Sequence, residues 1–290
     1  MQTEQLHRPW RSLLYVPASS RRALDKARTL PADGFIFDLE DAVAPEAKAG
    51  ARETLRGALE RGGFGDRACL VRINGLDTPW GADDARAFRE ARIDGLLIPK
   101  VNGPADLDAV LELCDRHPLW AMVETARGVL AAAEIAGHTE LAGFVLGTND
   151  LARELGCRAG AGRVPLQTAL QHALLAARAA GIICIDGVYN AFRDEAGLRA
   201  ECVQGRDFGF DGKTLIHPAQ LAAANELFAP SEEEVALARR QIAAFEEAEA
   251  AGRGVAVVDG RIVENLHVAD ARATLAKAEA ITQRESEWER

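Results

Sequence analysis

The chain has no basic excess. Its 290 residues hold 34 lysines and arginines against 44 aspartates and glutamates, a formal net charge of −10. Nucleic-acid binding draws on a strong positive surface field, so that class of partner is not expected. Long apolar runs are missing as well. No stretch approaches the ~18 apolar residues that suggest a membrane span, and the polar start around His7, Arg8 and Arg11 lacks the apolar segment of a secretory leader. The five cysteines (Cys69, Cys114, Cys157, Cys184, Cys202) are scattered, odd in number and never spaced C-x-x-C. They read as reduced, mostly buried thiols of a cytoplasmic protein, with a catalytic cysteine as the lesser alternative. No solenoid repeat is present. Nor is there a complete G-x-G-x-x-G or phosphate-loop signature, and the glycine-rich stretch 156–162 reads as a flexible loop.

What the chain does have is alternation. Short β-rich apolar runs recur at Ser12–Val16, Gly34–Phe37, Cys69–Ile73, Gly95–Ile98, Leu119–Val123, Gly143–Leu146, Ile182–Ile185 and Gly212–Ile216, with helical patterns such as Pro45–Arg61, Pro104–Arg116 and Pro165–Ala180 between them. Repeated βα units demand a parallel sheet covered by helices. Some eight of them point to a closed (β/α)8 TIM barrel, an α/β fold. After Pro230 the pattern changes. Ser231 and Glu234 form the S-x-x-E of a capping box at the head of a helix to about Ala251. Asp259-Gly260 between two β-rich triplets marks a hairpin. A final helix from His267 to about Ile281 precedes a charged tail expected to fray. The expected organisation is a catalytic barrel over residues 1–229 and a C-terminal helix–hairpin–helix extension over 230–290, serving as a cap or oligomerisation element.

In a parallel barrel the chemistry gathers at the C-terminal ends of the strands. Those ends carry Asp38-Leu39-Glu40-Asp41, Arg72-Ile73-Asn74, Pro99-Lys100, Glu124-Thr125, Gly147-Thr148-Asn149-Asp150, Asp186-Gly187 and His217-Pro218. Carboxylates crowded on one rim repel one another unless a cation neutralises them. Oxygen donors without histidine or cysteine suit Mg²⁺ or Mn²⁺ rather than zinc. Glu124 and Asp150, on adjacent strands, are the natural ligand pair, with Asp38, Glu40 and Asp41 placed to hold metal-bound waters. Alternatively, these acids cap helices or pair with arginines. Arg72 is the electrophilic candidate, able to hold a carboxylate or a developing enolate oxygen, or simply to pair with the acids of the second strand. Lys100 reads as a structural or anion-binding lysine before a Schiff-base one, and His217 as a cap. Ser19-Ser20-Arg21-Arg22 offers either a plain helix cap or a phosphate seat in which Arg22 binds substrate.

At these residues the sequence resembles the HpcH/HpaI aldolase–citrate lyase family, in its branch of citrate lyase beta-subunit-like proteins and malyl-CoA or citramalyl-CoA lyases. The likeness runs over nearly the whole chain, through Leu14-Tyr15-Val16-Pro17, Phe37-Asp38-Leu39-Glu40-Asp41, Val71-Arg72-Ile73-Asn74-Gly75, Val123-Glu124-Thr125, Leu146-Gly147-Thr148-Asn149-Asp150 and Gly212-Lys213-Thr214-Leu215-Ile216-His217-Pro218. The resemblance implies Mg²⁺ on Glu124 and Asp150, with Arg72 and Glu124 contacting a 2-oxo acid. It implies reversible carbon–carbon cleavage of a malyl-, citramalyl- or citryl-type CoA thioester, in a homotrimer or a hexamer whose C-terminal module reaches a neighbour's site. Two departures stand out. Asn149 occupies a place where many relatives have glutamate. Glu264, in Gly260-Arg261-Ile262-Val263-Glu264, stands where many relatives carry a catalytic aspartate, and is the candidate acid/base. The alternatives are a subunit acting on a citryl group held by an acyl-carrier protein, a CoA-independent 2-oxo-acid aldolase, and a non-catalytic binding subunit.

Overall fold

The computed structural model describes residues 8–288; His7, which entered the leader reading, lies outside them. Eight parallel strands close into a barrel in chain order: β1 (Ser12–Pro17), β2 (Gly34–Asp38), β3 (Ala68–Arg72), β4 (Gly95–Ile98), β5 (Leu119–Val123), β6 (Leu141–Leu146), β7 (Ile183–Asp186) and β8 (Gly212–Leu215), with β1 pairing β8 to complete the ring. The fold is the expected TIM barrel. Strand periodicity of two sorts the apolar residues into separate cores. Leu13, Ile36, Leu70, Leu97, Trp120, Val145, Ile183 and Ile185 point inward and fill the barrel, where the Trp120 indole meets Trp10 at a centroid distance of 4.9 Å. Their strand neighbours Leu14, Phe35, Phe37, Val71, Leu96, Ala121 and Phe144 face the helices. Filling the interior with side chains leaves room for ligands only at the rim, where the strand ends project.

Several connections differ in detail from the reading. Two short helices, Ala126–Leu130 and Ala132–Ala136, stand between β5 and β6, and a helix not read at all, Glu195–Phe208, precedes β8. The glycine-rich stretch is not a loose loop throughout. Gly162 and Arg163 both adopt positive φ (75° and 49°), and this turn delivers a buried Arg163 side chain into the barrel wall. The five cysteines are all free, four of them buried. Among the described residues, no helix is long and apolar enough to cross a membrane.

Contacts divide the chain into two compact units, one spanning Trp10–Phe228 and another containing the chain from Ala229 onward. In the latter, Ser231 and Glu234 form the reciprocal capping box at the start of helix Glu232–Ala250. Strands β9 (Ala256–Val258) and β10 (Arg261–Val263) pair antiparallel around Asp259 and Gly260, both at positive φ as a tight two-residue turn requires. Phe245, Ala248, Val258, Val263 and Val268 form a small core of their own. The last helix runs from Asn265 to Trp288, well past the expected end. Ile281 and Arg284, three residues apart on one face, are both buried, so the packed stripe continues into a segment that its charge had marked for fraying.

Candidate active site

Arg72 ends β3 inside the rim and is 6% exposed. Its neighbour in register on β2 is Asp38. The two meet as a bidentate fork, with Arg72 Nε donating to Asp38 Oδ1 at 2.7 Å and Nη2 to Oδ2 at 2.6 Å. Asp38 also accepts the backbone N–H groups of Glu40 and Ala42. Both oxygens of Asp38 are therefore spent on holding Arg72 and the turn after β2. In this arrangement Asp38, expected to hold metal-bound waters, is the partner that orients the guanidinium. The far edge of Arg72 faces the rim, where Nη1 lies 2.9 Å from Glu40, 3.5 Å from Asp41 and 3.7 Å from the Met122 sulfur. Tyr15 lays its ring over the guanidinium, 5.0 Å from Cζ to centroid. Burial opposes the charge on Arg72, but Asp38, Tyr15 and Glu40 outweigh it, so the residue stays cationic. Burial also pushes the Tyr15 hydroxyl well above its ordinary range, which makes it a neutral cover and not a base.

Glu124 directly follows β5 and is 1% exposed. Its Oε1 accepts the backbone N–H of Lys100 at 2.9 Å, and no hydrogen bond reaches Oε2 among the described residues. Lys100 aims that N–H from a left-handed backbone conformation (φ 52°), which a lysine adopts only where its surroundings impose it. The imposing contacts are visible: Asn102 Nδ2 donates to the Lys100 carbonyl, and the Thr125 hydroxyl donates to Asn102 Oδ1. The Lys100 ammonium donates to Glu40 at 2.6 Å and stands 3.9 Å from Glu124, so it is an ion-pairing lysine as expected. Gly147 is required next to Glu124, because a Cβ there would collide with the glutamate's own Cβ and Oε2. Desolvation, only partly offset by Lys100, raises the Glu124 carboxyl to about 7. Glu40 is raised too, by burial against the pull of Arg72 and Lys100.

Asp150 sits in the first turn of helix Thr148–Glu154 and accepts a 2.6 Å bond from the exposed Arg153. It shares with Glu124 a cavity of about 360 Å³, lined also by Tyr15, Arg72, Met122 and Asn149. The structure thus brings Arg72, Glu124, Asp150, Asp38 and Asp41 to one cavity, with Glu40 behind them. Among the described residues, Asp38, Glu40, Asp41, Glu124 and Asp150 face two positive groups there, Arg72 and Lys100, apart from the outlying Arg153. The surplus of negative charge, the desolvated Glu124 with a free oxygen and the purely carboxylate donor set fit a hard divalent cation that keeps several waters. Among the described residues no group of three or more acidic, histidine or cysteine side chains is placed to hold a metal ion by itself.

Arg22 is not among the residues that line this cavity, and Glu264 belongs to the other compact unit. Arg22 is exposed in helix Arg21–Ala27, whose Ser20 plainly caps it by accepting the Ala23 N–H. Glu264 belongs to the unit beginning at Ala229, is exposed, and starts its last helix by donating its backbone N–H to His267 Nδ1. His217 is the cap it was read to be, accepting the Ala219 N–H, and its ring stacks on Phe192. Sequence reasoning missed Tyr15 and Asn190. Tyr15 was findable, since it shares the inward face of β1 with Leu13. Asn190 sits in an irregular stretch that carries no periodic signal.

Residues 11–218 match the sequence profile of the HpcH/HpaI aldolase/citrate lyase family. The chain belongs to this family. It is therefore an enzyme of a family of aldolases and lyases. It is 63% identical over 273 residues to a (3S)-malyl-CoA thioesterase of Cereibacter sphaeroides strain KD131, covering 94% of this chain and 96% of that protein. It is 36% identical to citrate lyase subunit beta of Escherichia coli K12, covering 93% of each. Among solved structures, the CitE protein of Mycobacterium tuberculosis in complex with magnesium, acetoacetate and coenzyme A superposes with a TM-score of 0.77 at 32% identity, covering 92% of this chain and 97% of that one.

Proposed function

We propose that this enzyme is a magnesium-dependent thioesterase of a malyl-type CoA thioester, releasing the hydroxy dicarboxylic acid and free CoA. The observation that carries the reading is the 63% identity, over almost the full length of both chains, to a (3S)-malyl-CoA thioesterase. The cavity supports it. A malyl group brings one free carboxylate, one hydroxyl and one thioester carbonyl, and the site offers a cationic edge beside an acidic, metal-fitting corner.

In this reading Glu124 and Asp150 hold the cation, which when bound polarises the substrate oxygens. The rim-facing edge of Arg72 takes the free carboxylate beside Glu40, displacing Asp41, which is 64% exposed and 3.5 Å away. Asp38 keeps the fork from rotating, and Tyr15 closes its face against water. Lys100 fixes one oxygen of Glu124 through its backbone and Glu40 through its ammonium. Met122, Leu146 and Ile216 supply the apolar part of the wall. Glu264 is the proposed acid/base, contributed by a second copy of the chain.

The second reading is the carbon–carbon cleavage expected from the resemblance, favoured by the likeness to a citrate lyase subunit and to the fold solved with magnesium, acetoacetate and coenzyme A. One assay separates them. With malyl-CoA, a thioesterase liberates one free thiol per turnover together with malate. A lyase instead gives acetyl-CoA and glyoxylate with no free thiol. The expected result is thiol release that stops with EDTA and returns with Mg²⁺. Glyoxylate without thiol would install the lyase in its place. Neither product would turn attention to citryl groups on a carrier protein.

A further inference from the structure

The loops after β6 and β7 are joined by two asparagines. Asn190 Nδ2 donates to Asn149 Oδ1 at 2.7 Å, and Asn149 Nδ2 donates back to Asn190 Oδ1 at 3.3 Å. Both residues line the cavity, Asn149 directly before the candidate ligand Asp150, and both are exposed to it. The loops can approach this closely because Gly187 lies against Thr148 and the Leu146 carbonyl, where any Cβ would collide. A carboxamide has two N–H donors and two acceptor lone pairs. A reciprocal pair consumes one of each per residue, and exchanging the oxygen and nitrogen of both side chains leaves the same pattern. Each asparagine therefore keeps one N–H that no other side-chain bond occupies among the described residues. These are neutral donors in a wall that also carries the carboxylates of Asp38, Asp41, Glu124 and Asp150. A neutral, mutually fixed donor is suited to an oxygen whose charge grows during reaction and not to a permanent anion.

We propose that the free N–H groups of Asn149 and Asn190 receive the thioester carbonyl oxygen and stabilise it as it becomes an oxyanion. The proposal rests on the thioesterase reading. In the step itself a water molecule adds to the thioester carbon and gives up one proton, the carbonyl electron pair moves onto oxygen, and the intermediate collapses with cleavage of the carbon–sulfur bond. The sulfur leaves with the electron pair and takes a proton to become the CoA thiol, and the acyl carbon becomes a carboxylic acid. The asparagines form no bond and exchange no proton. They are catalytic by contact with the developing charge, and each holds the other in place.

The test uses the full-length enzyme with malyl-CoA and Mg²⁺ and compares Asn190→Ala, Asn149→Ala and Asn190→Asp with wild type. Loss of a donor aimed at a developing oxyanion is expected to lower kcat about 100-fold while KM and the calorimetric Mg²⁺ affinity stay within about threefold. The aspartate variant should be at least as poor as the alanine variant, since it adds an acceptor and removes the donors. Turnover of all three variants near wild type would overturn the proposal. So would a fall in kcat matched by an equal fall in Mg²⁺ affinity, which would make the pair a brace for Asp150. A wild-type enzyme that releases no thiol overturns the functional reading itself, and is recognised by the absence of activity before any substitution is made.

Discussion

Glu124→Gln is expected to eliminate magnesium-dependent turnover and, in the metal-free protein, to raise the melting temperature above neutral pH. Loss of contacts that merely support a ligand typically lowers metal affinity or activity about 10–100-fold, and removal of a proposed ligand carboxylate should exceed that. The stability effect has the opposite sign because the carboxylate is desolvated. Its carboxyl stands at about 7 against the usual 4.5, with burial as the leading cause. The folded protein therefore holds this proton more tightly than the unfolded chain does. Stability falls as pH rises from the ordinary carboxylate value through about 7, and the full penalty, on the order of 3 kcal/mol, applies above that. Glutamine can still accept the Lys100 N–H through its amide oxygen and does not titrate. Melts in EDTA at pH 8 should favour the variant clearly, and the gap should close in acid below the ordinary carboxylate range. Equal melting at pH 8 would mean that the carboxylate is not desolvated as its burial indicates. Retained magnesium-dependent turnover would remove Glu124 from the metal.

That result would also bear on how the site could be read. Its chemistry was legible because a parallel barrel collects strand ends on one rim, so Asp38, Arg72, Glu124 and Asp150 could be placed together from the order of the runs alone. The pairing of Arg72 with the acids of β2 followed from strand adjacency. The division of labour did not. Both Asp38 and Asp150 read as strand-end acids, and only the fork geometry shows that Asp38 is bound up with Arg72 while Asp150 is not. The Asn149–Asn190 pair and the Arg163 turn were out of reach for another reason. Each joins residues more than twenty positions apart through irregular backbone, where neither period of two nor period of 3.6 leaves a trace. The glycine-rich stretch suggested mobility because glycine permits it, but one of those glycines is needed at φ 75° to swing Arg163 into the wall.

That wall leads to the largest expected loss of stability. Asp186, at the end of β7, is wholly buried and accepts from Lys213 Nζ at 2.9 Å and Arg163 Nη1 at 2.6 Å. Lys213, equally buried, spends its remaining donors on the Gly187 carbonyl and on Glu201, both at 2.7 Å. Asp186→Asn leaves two buried cations with only Glu201 as a neutralising acid. Removing one partner from a buried ion pair costs about 3–5 kcal/mol, because the charge left behind has lost both water and its counterion. Urea or thermal melts at neutral pH should show a loss of that order, and a change below about 1 kcal/mol would mean that water reaches the cluster. The pH dependence has a definite sign. Burial would raise the Asp186 carboxyl, but Lys213 and Arg163 outweigh it and hold it below its usual range. Its contribution is complete above the ordinary carboxylate value and is lost as pH falls through the depressed one, so the gap between wild type and variant should narrow in that acid window. Lys213→Met should cost less, since Arg163 still answers Asp186. Both substitutions should reduce turnover as well as stability, because Asp186 accepts the Gly187 N–H and Lys213 binds the Gly187 carbonyl. Those two bonds fix the first residue of the loop that carries Val188 and Asn190 into the cavity, so the buried charges set the shape of the site from behind.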